Sequence, residues 1–223
     1  MNKLGTVTIG QAPRSDVSPI LEEHLGGKAE LVQVGVLDGL TKEQIGERFS
    51  PEAGDYVLTS RLTSGDSVVM AREKIAPVLQ QKIAQLEEQG CRQILVLCTG
   101  VFEGLKADRA ELLEPDELLA PIVAAMVGSK RFGVIVPLAE QTELLAQKWA
   151  KHGLRPTLAA ASPYRYREDE MKAACEKLKV SCDIVLLDCM GYTETMRAFA
   201  AEHTGLPVIL SNALMAKVVS EMI

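Results

Sequence analysis

The sequence has few of the features that mark a nucleic-acid-binding, membrane or secreted protein. Aromatic residues make up only 4% of its 223 residues, and the formal net charge is −6. No basic stripe or aromatic platform is present, so we expect no nucleic-acid partner. No apolar run approaches the roughly 20 residues of a membrane span. Residues 1–6 lack the charged and apolar regions of a secretion signal. We therefore expect a cytoplasmic protein with no membrane partner.

Metal-binding and nucleotide-binding signatures are also missing. The five cysteines include no Cys-x-x-Cys pair, and the three histidines are scattered, each just before a glycine near a predicted helix end. Such histidines satisfy helix-terminal carbonyls, so we expect neither a zinc site nor a histidine-based nucleophile. Neither glycine-rich phosphate signature follows a predicted strand, which argues against NAD and ATP. The sequence thus predicts no metal and no cofactor.

Apolar strands and helices alternate along the chain, which is typical of parallel sheets covered by helices. A strand beginning at Phe132 resembles the opening strand, which indicates that the pattern restarts. The sequence predicts an α/β fold of two similar doubly wound parallel-sheet lobes. We place the first lobe at residues 1–112 plus 211–223 and the second at 113–210. A hairpin-like insert at 55–70 lengthens the first lobe.

Capping and turn residues predict the ends of several elements. Ser15 or Asp16 is expected to cap a helix that ends near residue 24. Thr41 with Gln44 three residues later has the spacing of a capping box. Pro115 suits the first turn of a helix, after a crossing between the halves at 111–115.

Two cysteine turns are the strongest functional signal. The runs Cys98-Thr99-Gly100 and Cys189-Met190-Gly191 each follow an apolar strand and reach a glycine two residues after the thiol. Ligands of open α/β sheets bind at the carboxyl ends of strands, and a helix N-terminus there lowers the pKa of a thiol. We therefore predict that Cys98 and Cys189 are catalytic. The other cysteines are expected to fill space in the core: Cys91, Cys175 and Cys182.

Two opposed thiols suit proton transfer beside a carbonyl group. One takes a proton from the carbon next to a carboxylate or amide, and the other returns a proton on the opposite face. An ordinary thiol pKa near 8.5 is easily drawn toward 7, which favours general acid–base catalysis. The N–H groups of Thr99, Gly100, Met190 and Gly191 could stabilise the enolate. The hydroxyls of Thr99 and Thr193 are predicted to hold the carboxylate or tune the thiols.

The loop after the first strand is a candidate anion site. Backbone N–H groups at a helix N-terminus favour negative charge, and Arg14 could add a bidentate clamp. A surface position for Arg14 is the alternative, because arginines are mostly exposed.

The cysteine turns resemble those of the aspartate/glutamate racemase superfamily, which includes amino-acid and hydantoin racemases, maleate isomerase and arylmalonate decarboxylase. The run Gly10–Arg14, the run Thr59–Leu62 and both cysteine turns resemble the AroM-like branch over nearly the full length. This resemblance implies a two-lobed fold with its site in the interlobe cleft. It also implies roles for residues beyond the thiols, and we include as substrate-binding residues Gln11, Arg14, Ser60, Arg61, Thr99, Gly100, Met190, Gly191, Tyr192 and Thr193.

Three functions remain open at this point. The leading one is a cofactor-independent racemase or isomerase acting on a small anionic metabolite. A two-lobed sensor of such a metabolite would use the same binding residues with packing cysteines, and a decarboxylase or isomerase would need only one thiol. The sequence leaves open whether the chain forms a homo-oligomer.

Overall fold

The computed structural model describes residues 2–223, without the side chains of residues 143 and 144. Strands and helices alternate through almost the whole of this range. The strands are β1 Asn2–Thr8, β2 Ala29–Gly35, β3 Val57–Arg61, β4 Ser67–Ala71, β5 Gln93–Leu97, β6 Glu111–Leu113, β7 Phe132–Val136, β8 Thr157–Ala160, β9 Ile184–Leu187 and β10 Val208–Leu210. The helices are α1 Ser18–Leu25, α2 Lys42–Phe49, α3 Arg72–Glu88, α4 Pro115–Val127, α5 Thr142–Ala150, α6 Glu168–Lys179, α7 Glu194–Thr204 and α8 Ser211–Met222, with a 3₁₀ turn at Ala139–Gln141.

The strands form two four-stranded parallel sheets with the same topology. Their orders are β2-β1-β5-β6 and β8-β7-β9-β10, so β1 corresponds to β7 and β5 to β9. In the first sheet Thr8 pairs with Leu97, and in the second Ile135 pairs with Leu187. The buried strands are almost entirely apolar, as parallel strands covered on both faces must be. The α/β fold of two similar lobes is confirmed.

The chain divides into two compact units. The first contains residues 1–116 and 216–223, and the second contains 117–215. Helix α4 follows β6 directly, and its Ala120, Val123 and Val127 join the core of the second unit. Toward the end of α8 the chain returns to the first unit, where Lys28 Nζ donates to the carbonyl of Ser220 at 2.7 Å. Each unit therefore includes a segment that follows the last strand of the other.

The insert of the first unit is an antiparallel hairpin, as predicted. Strand β3 pairs with β4 from Val57 opposite Ala71 to Arg61 opposite Ser67. No helix in the described part of the chain has both the length and the apolar character needed to cross a bilayer.

The N-caps of α1 and α2 show which of the predicted helix starts are correct. The capping box is confirmed: Gln44 N–H donates to Thr41 Oγ1 at 3.3 Å and Thr41 N–H to Gln44 Oε1 at 2.9 Å. The cap at Ser15 or Asp16 is wrong, because α1 begins at Ser18 and its N-cap is Val17, which has no side-chain acceptor. The Asp16 carboxylate is bonded to an arginine instead.

The segment predicted as a plain crossing between the halves contains a short strand. Residues 111–113 form β6, which extends the first sheet by pairing with β5. Three residues are too few for a visible period in the sequence, so the strand is defined only by its partner. Pro115 then opens α4, as predicted.

Candidate functional site

Both predicted catalytic cysteines lie at the carboxyl end of the corresponding strand in each unit. Cys98 follows β5 directly, and Cys189 comes two residues after the end of β9. Each residue is 8% exposed. Because β5 lies beside β1 and β9 lies beside β7, the two thiols hold equivalent places in two sheets of the same order.

The same hydrogen bond is formed within each of the two cysteine turns. The N–H of Gly100 donates to Cys98 Sγ at 3.3 Å, and the N–H of Gly191 donates to Cys189 Sγ at 3.4 Å. A donor aimed at sulfur favours the charged thiolate over the neutral thiol. These two N–H groups are therefore directed at sulfur, whereas the sequence predicted that they would stabilise an enolate.

In both turns another side chain packs closely over the Cα atom of the glycine. A Cβ on Gly100 would lie 2.8 Å from Leu58 Cδ2. A Cβ on Gly191 would overlap the ring of Tyr164 and lie 2.6 Å from its hydroxyl. The turns are thus alike in backbone but covered by different residues, one aliphatic and one phenolic.

The helix N-terminus that was predicted to follow each thiol differs between the units. No helix lies between residues 98 and 110 of the described chain, so that part of the prediction is wrong for Cys98. In the second unit α7 begins at Glu194, and its N-cap Thr193 accepts the N–H of Met196 at 3.3 Å. The Thr193 hydroxyl therefore fixes the start of a helix.

Arg14 is buried rather than exposed. Only 2% of its side chain is accessible, and its Nε and Nη2 both bond the carboxylate of Asp16 at 2.8 Å. Nη1 donates to Thr8 Oγ1 at 3.0 Å. The bidentate clamp of the guanidinium is therefore closed on a carboxylate of its own loop, which holds this loop at the carboxyl end of β1.

Gln11 ties the same loop to two neighbouring segments. Its Nε2 donates to the carbonyls of Leu37 and Leu40 at 3.2 and 2.9 Å. Its Oε1 accepts from the N–H and the hydroxyl of Thr63 at 2.9 and 3.0 Å. All of the usual hydrogen-bonding capacity of this amide is directed at protein atoms.

Arg61 offers an open positive charge beside this loop. A cavity of about 200 Å³ is lined by both Arg14 and Arg61, together with Gln11, Asp16 and Thr63. Within residues 2–223 the Arg61 guanidinium has neither an ion pair nor a side-chain hydrogen bond. The structure thus brings three of the predicted binding residues to one cavity of the first unit, and Arg61 is the one whose donors are available.

The hairpin connects this cavity with the turn of Cys98. On β3, Leu58 covers Gly100, and Ser60 and the Arg61 carbonyl pack against Gly10. Ser60 is fully buried, and its hydroxyl has no hydrogen-bond partner among the described residues. Residues two apart on a strand share a face, so Leu58 and Ser60 lie on the same face of β3. Leu58 packs against Gly100, which follows β5, and Ser60 packs against Gly10, which follows β1.

Hydrogen bonds of buried polar groups stabilise the turn of Cys189. Asn212 Nδ2 donates to the carbonyls of Met190 and Tyr192 at 3.0 and 2.7 Å. The Tyr192 hydroxyl donates to the carbonyl of Ala161 at 2.7 Å. Burial, with the negative charges of Cys189 and Asp188 nearby, raises the pKa of Tyr192 well above its ordinary value. Tyr192 therefore stays neutral and anchors the turn.

Asp188 is directed toward a helix. Its Oδ2 lies 3.4 Å from Nζ of Lys148 on α5, and both side chains are almost completely buried. The sequence predicted a supporting rather than a catalytic role for Asp188, and this ion pair agrees with that role.

Sequence reasoning did not find three residues of the second unit: Tyr164, Asn212 and Lys148. Tyr164 and Asn212 each come shortly after a strand, β8 and β10. That rule of position singled out the cysteines, and it would also have found these two. Lys148 lies in the last turn of α5 and carries no comparable signal. Among the described residues, no three His, Cys, Asp or Glu side chains are grouped so that they could hold a metal ion.

Two parallel-sheet units of one topology, each with a thiol after the corresponding strand, form the α/β fold that the resemblance to the aspartate/glutamate racemase superfamily implied. The chain belongs to the AroM family, whose model, described as AroM protein, matches residues 4–223. No curated relative matches the sequence.

Several solved structures share the fold at low sequence identity. Maleate isomerase Iso from Pseudomonas putida S16 is 10% identical, with a TM-score of 0.65 over 99% of this chain and 92% of that one. Allantoin racemase from Klebsiella pneumoniae is 14% identical, with a TM-score of 0.57 over 100% and 87%. Unliganded arylmalonate decarboxylase is 13% identical, with a TM-score of 0.58 over 100% and 92%.

Proposed function

We propose that this protein is a cofactor-independent racemase or isomerase that moves a proton on the carbon next to a carboxylate or amide carbonyl of a small anionic metabolite. Cys98 and Cys189 are the two bases, and both act on one substrate. The observation that carries the proposal is the repeated turn in which a glycine N–H donates to the cysteine sulfur.

The reaction needs one thiolate and one thiol. The thiolate takes the α-proton and becomes a thiol, and the electron pair of the broken C–H bond moves into the carbonyl to give an enolate. The enolate collapses as the other thiol gives its proton to the opposite face of the carbon, and that cysteine becomes the thiolate. Charge and protons balance within the pair, so no cofactor is required.

Around the thiols, the predicted binding residues have different roles in the proposed site. Arg61 binds the anionic group of the substrate, because its guanidinium lines the cavity of the first unit and is open. The N–H groups of Thr99 and Met190, with the Thr99 hydroxyl, stabilise the enolate. The remaining residues position the site, since their polar groups bond or pack against protein atoms: Gln11, Arg14, Ser60, Gly100, Gly191, Tyr192 and Thr193.

The names of the fold neighbours support this class of chemistry. They comprise a racemase, an isomerase and a decarboxylase. The three names differ in substrate, so they support the class of reaction and leave the substrate to experiment.

Exchange of the α-proton with solvent tests the proposal. Amino acids, hydantoins and dicarboxylic acids are incubated in D₂O with the protein, and loss of the α-proton signal is followed by NMR. We expect exchange of at least one compound, and Cys98→Ser or Cys189→Ser should slow it at least about a hundredfold, the size of a lost general acid–base group. Cys91→Ser is the control, because Cys91 precedes its strand.

The pattern of results separates the alternatives. If both serine variants lose exchange, two thiols act together. If only one does, a one-thiol decarboxylase or isomerase replaces the proposal. Binding of an anion without exchange by the wild type would leave a sensor.

A bifunctional thiol reagent tests the proposed placement of the two sulfurs. Dibromobimane should join Cys98 to Cys189 within one chain, and a ligand of the site should protect both. Separate modification of the two cysteines, with no cross-link, would contradict a shared substrate.

A further inference from the structure

We propose that Tyr164 is a positioning residue for Cys189, and that its hydroxyl donates to the sulfur and favours the thiolate. The inference extends the proposed function, in which Cys189 is one of the two bases. It concerns the state of the thiol in the free protein, so it can be tested without any substrate.

The hydroxyl of Tyr164 lies 3.4 Å from Cys189 Sγ. The N–H of Gly191 lies at 3.4 Å from the same sulfur. A thiolate carries no hydrogen, so in that state it can only accept, and a neutral phenol beside it donates. Hydrogen bonds to a charged partner are stronger than those between neutral groups, so this contact favours the deprotonated sulfur.

The tyrosine ring is fixed in place, which makes the donor preorganised. Its edge packs over Gly191, where a side chain would overlap the ring and lie 2.6 Å from the hydroxyl. The loop that carries Tyr164 is held by the Ser162 hydroxyl, which accepts the N–H groups of Tyr164 and Arg165 at 3.3 Å.

A second tyrosine ties the same two loops in the opposite direction. Tyr192 belongs to the cysteine turn and donates to the carbonyl of Ala161 at 2.7 Å. Tyr164 belongs to the loop after β8 and reaches the sulfur of the cysteine turn. Movement of either loop would break both contacts, so the distance from the Tyr164 hydroxyl to the sulfur is held by the fold.

The other titratable groups around this turn have separate partners. The Tyr192 hydroxyl is bonded to a carbonyl, and burial keeps it neutral by raising its pKa. The Asp188 carboxylate is paired with Lys148 at 3.4 Å. The negative charge of Asp188 opposes ionisation of the neighbouring thiol, and the positive charge of Lys148 reduces this effect. A hydroxyl that donates to the sulfur further stabilises the thiolate.

The first unit has a different side chain at the corresponding place. Leu58 covers Gly100 there, with Cδ2 2.8 Å from where a Cβ would lie. The leucine side chain has no N–H or O–H group to donate. Removal of the Tyr164 hydroxyl should therefore change the pKa of Cys189 and leave that of Cys98 unchanged.

Thiol alkylation as a function of pH tests the inference. Wild type, Tyr164→Phe and Tyr166→Phe are treated with iodoacetamide between pH 5 and 10, and modification of each cysteine is followed by peptide mass spectrometry. In Tyr164→Phe the midpoint for Cys189 should rise by about one pH unit, which is about a tenfold slower reaction near neutral pH. Tyr166→Phe is the matched control, because its ring lies at the surface against Phe199.

A second variant separates loss of the hydroxyl from damage to the fold. Gly191→Ala keeps the hydroxyl but pushes the ring away from the sulfur, so it should shift the Cys189 midpoint in the same direction. If the contact is the cause, the double variant should shift no further than the larger single one. Protection of the buried Cys175 in the same spectra reports folding.

An unchanged Cys189 midpoint in Tyr164→Phe, or equal shifts in Tyr164→Phe and Tyr166→Phe, would overturn the inference. If Tyr164→Phe does not fold, an unchanged Cys189 midpoint in Gly191→Ala would overturn the inference. A shifted midpoint in a protein that exchanges no α-proton would instead contradict the proposed function alone.

Discussion

The sulfur of Cys182 occupies the space that a side chain on Gly133 would need. A Cβ on Gly133 would lie 2.9 Å from that sulfur, and in the other unit a Cβ on Gly5 would lie 3.2 Å from the sulfur of Cys91. Both glycines lie in the first strand of their sheet, and both cysteines precede the strand that bears the candidate catalytic thiol. The two units therefore share a packing detail as well as a strand order, and two of the cysteines have a structural explanation.

This packing predicts that Gly133→Ala destabilises the protein. Overpacking of a buried strand costs about 1–3 kcal/mol, and truncation of the sulfur in Gly133→Ala/Cys182→Ala should recover part of the loss. Gly46→Ala is the control, because its nearest neighbour would be Ser50 Oγ at 4.0 Å. On an open helix this change should stabilise by roughly 0.5–1 kcal/mol. Urea unfolding measures both, and equal effects of the two substitutions would refute the explanation.

Asn212 should matter both for stability and for the thiol. Its amide bonds the Met190 carbonyl, which belongs to the same peptide group as the Gly191 N–H that reaches Cys189. A peptide polarised at its oxygen is a better donor at its nitrogen. Asn212→Ala leaves two buried carbonyls without this donor, so it should lower the free energy of unfolding by about 2–4 kcal/mol and slow alkylation of Cys189.

The neighbouring Ser211 provides the control for that experiment. Its hydroxyl donates at 2.8 Å to the carbonyl of Leu187, the last residue of β9, and not to a carbonyl of the turn Cys189–Gly191. Ser211→Ala should cost about 1 kcal/mol and leave the alkylation of Cys189 unchanged. Equal effects of the two substitutions on the thiol would show that Asn212 acts only through general stability.

The ion pair of Lys148 and Asp188 predicts a strong coupling between two substitutions. Removal of one partner of a buried pair typically costs about 3–5 kcal/mol, whereas replacing both by neutral residues costs much less. Lys148→Met should therefore be more damaging than Lys148→Met combined with Asp188→Asn. Urea unfolding of the two single variants and the double variant gives the coupling energy. Additive losses would mean that the two charges do not depend on one another.

The sequence predicts the local features of this protein but not the contacts between residues that are distant along the chain. Strand alternation, the restart at Phe132, the hairpin and the capping box at Thr41 are local patterns, and the structure confirms them. The cysteine turns were visible because position after a strand is also local. The partners of the Cys189 turn are distant in sequence: Tyr164 is 25 residues from Cys189, and Asn212 is 22 from Met190. Only folding brings such residues together.

Arg14 shows that the sequence does not reveal which partner a noticed residue takes in the folded chain. Its type and position suggested a clamp for a ligand, but the fork is closed on Asp16 two residues away. The same aspartate was predicted to cap α1. One contact between neighbouring side chains thus changed two predictions, and neither composition nor periodicity could have shown which partner Asp16 takes.

Asp183 gives a prediction on pH. Its carboxylate pairs with Arg131 Nη2 at 2.7 Å and accepts the Arg131 N–H at 2.8 Å. These hydrogen bonds, chiefly that of the guanidinium, lower the pKa of Asp183 to about 2. An ordinary aspartate in the unfolded chain titrates near 3.9, so the folded state binds the proton less well. The stabilisation is therefore complete above about pH 4 and is lost as the pH falls toward 2.

Asp183→Asn should abolish that part of the acid dependence. The urea midpoint of the wild type is expected to fall between pH 4 and pH 2 more steeply than that of the variant, and the two curves should converge at the acid end. Arg131→Gln tests the cause from the other side, because without the guanidinium the carboxylate loses its main partner. It should flatten the same interval, and the double variant should add little. Parallel curves for wild type and Asp183→Asn from pH 5 to 2 would show that this pair does not link folding to acid.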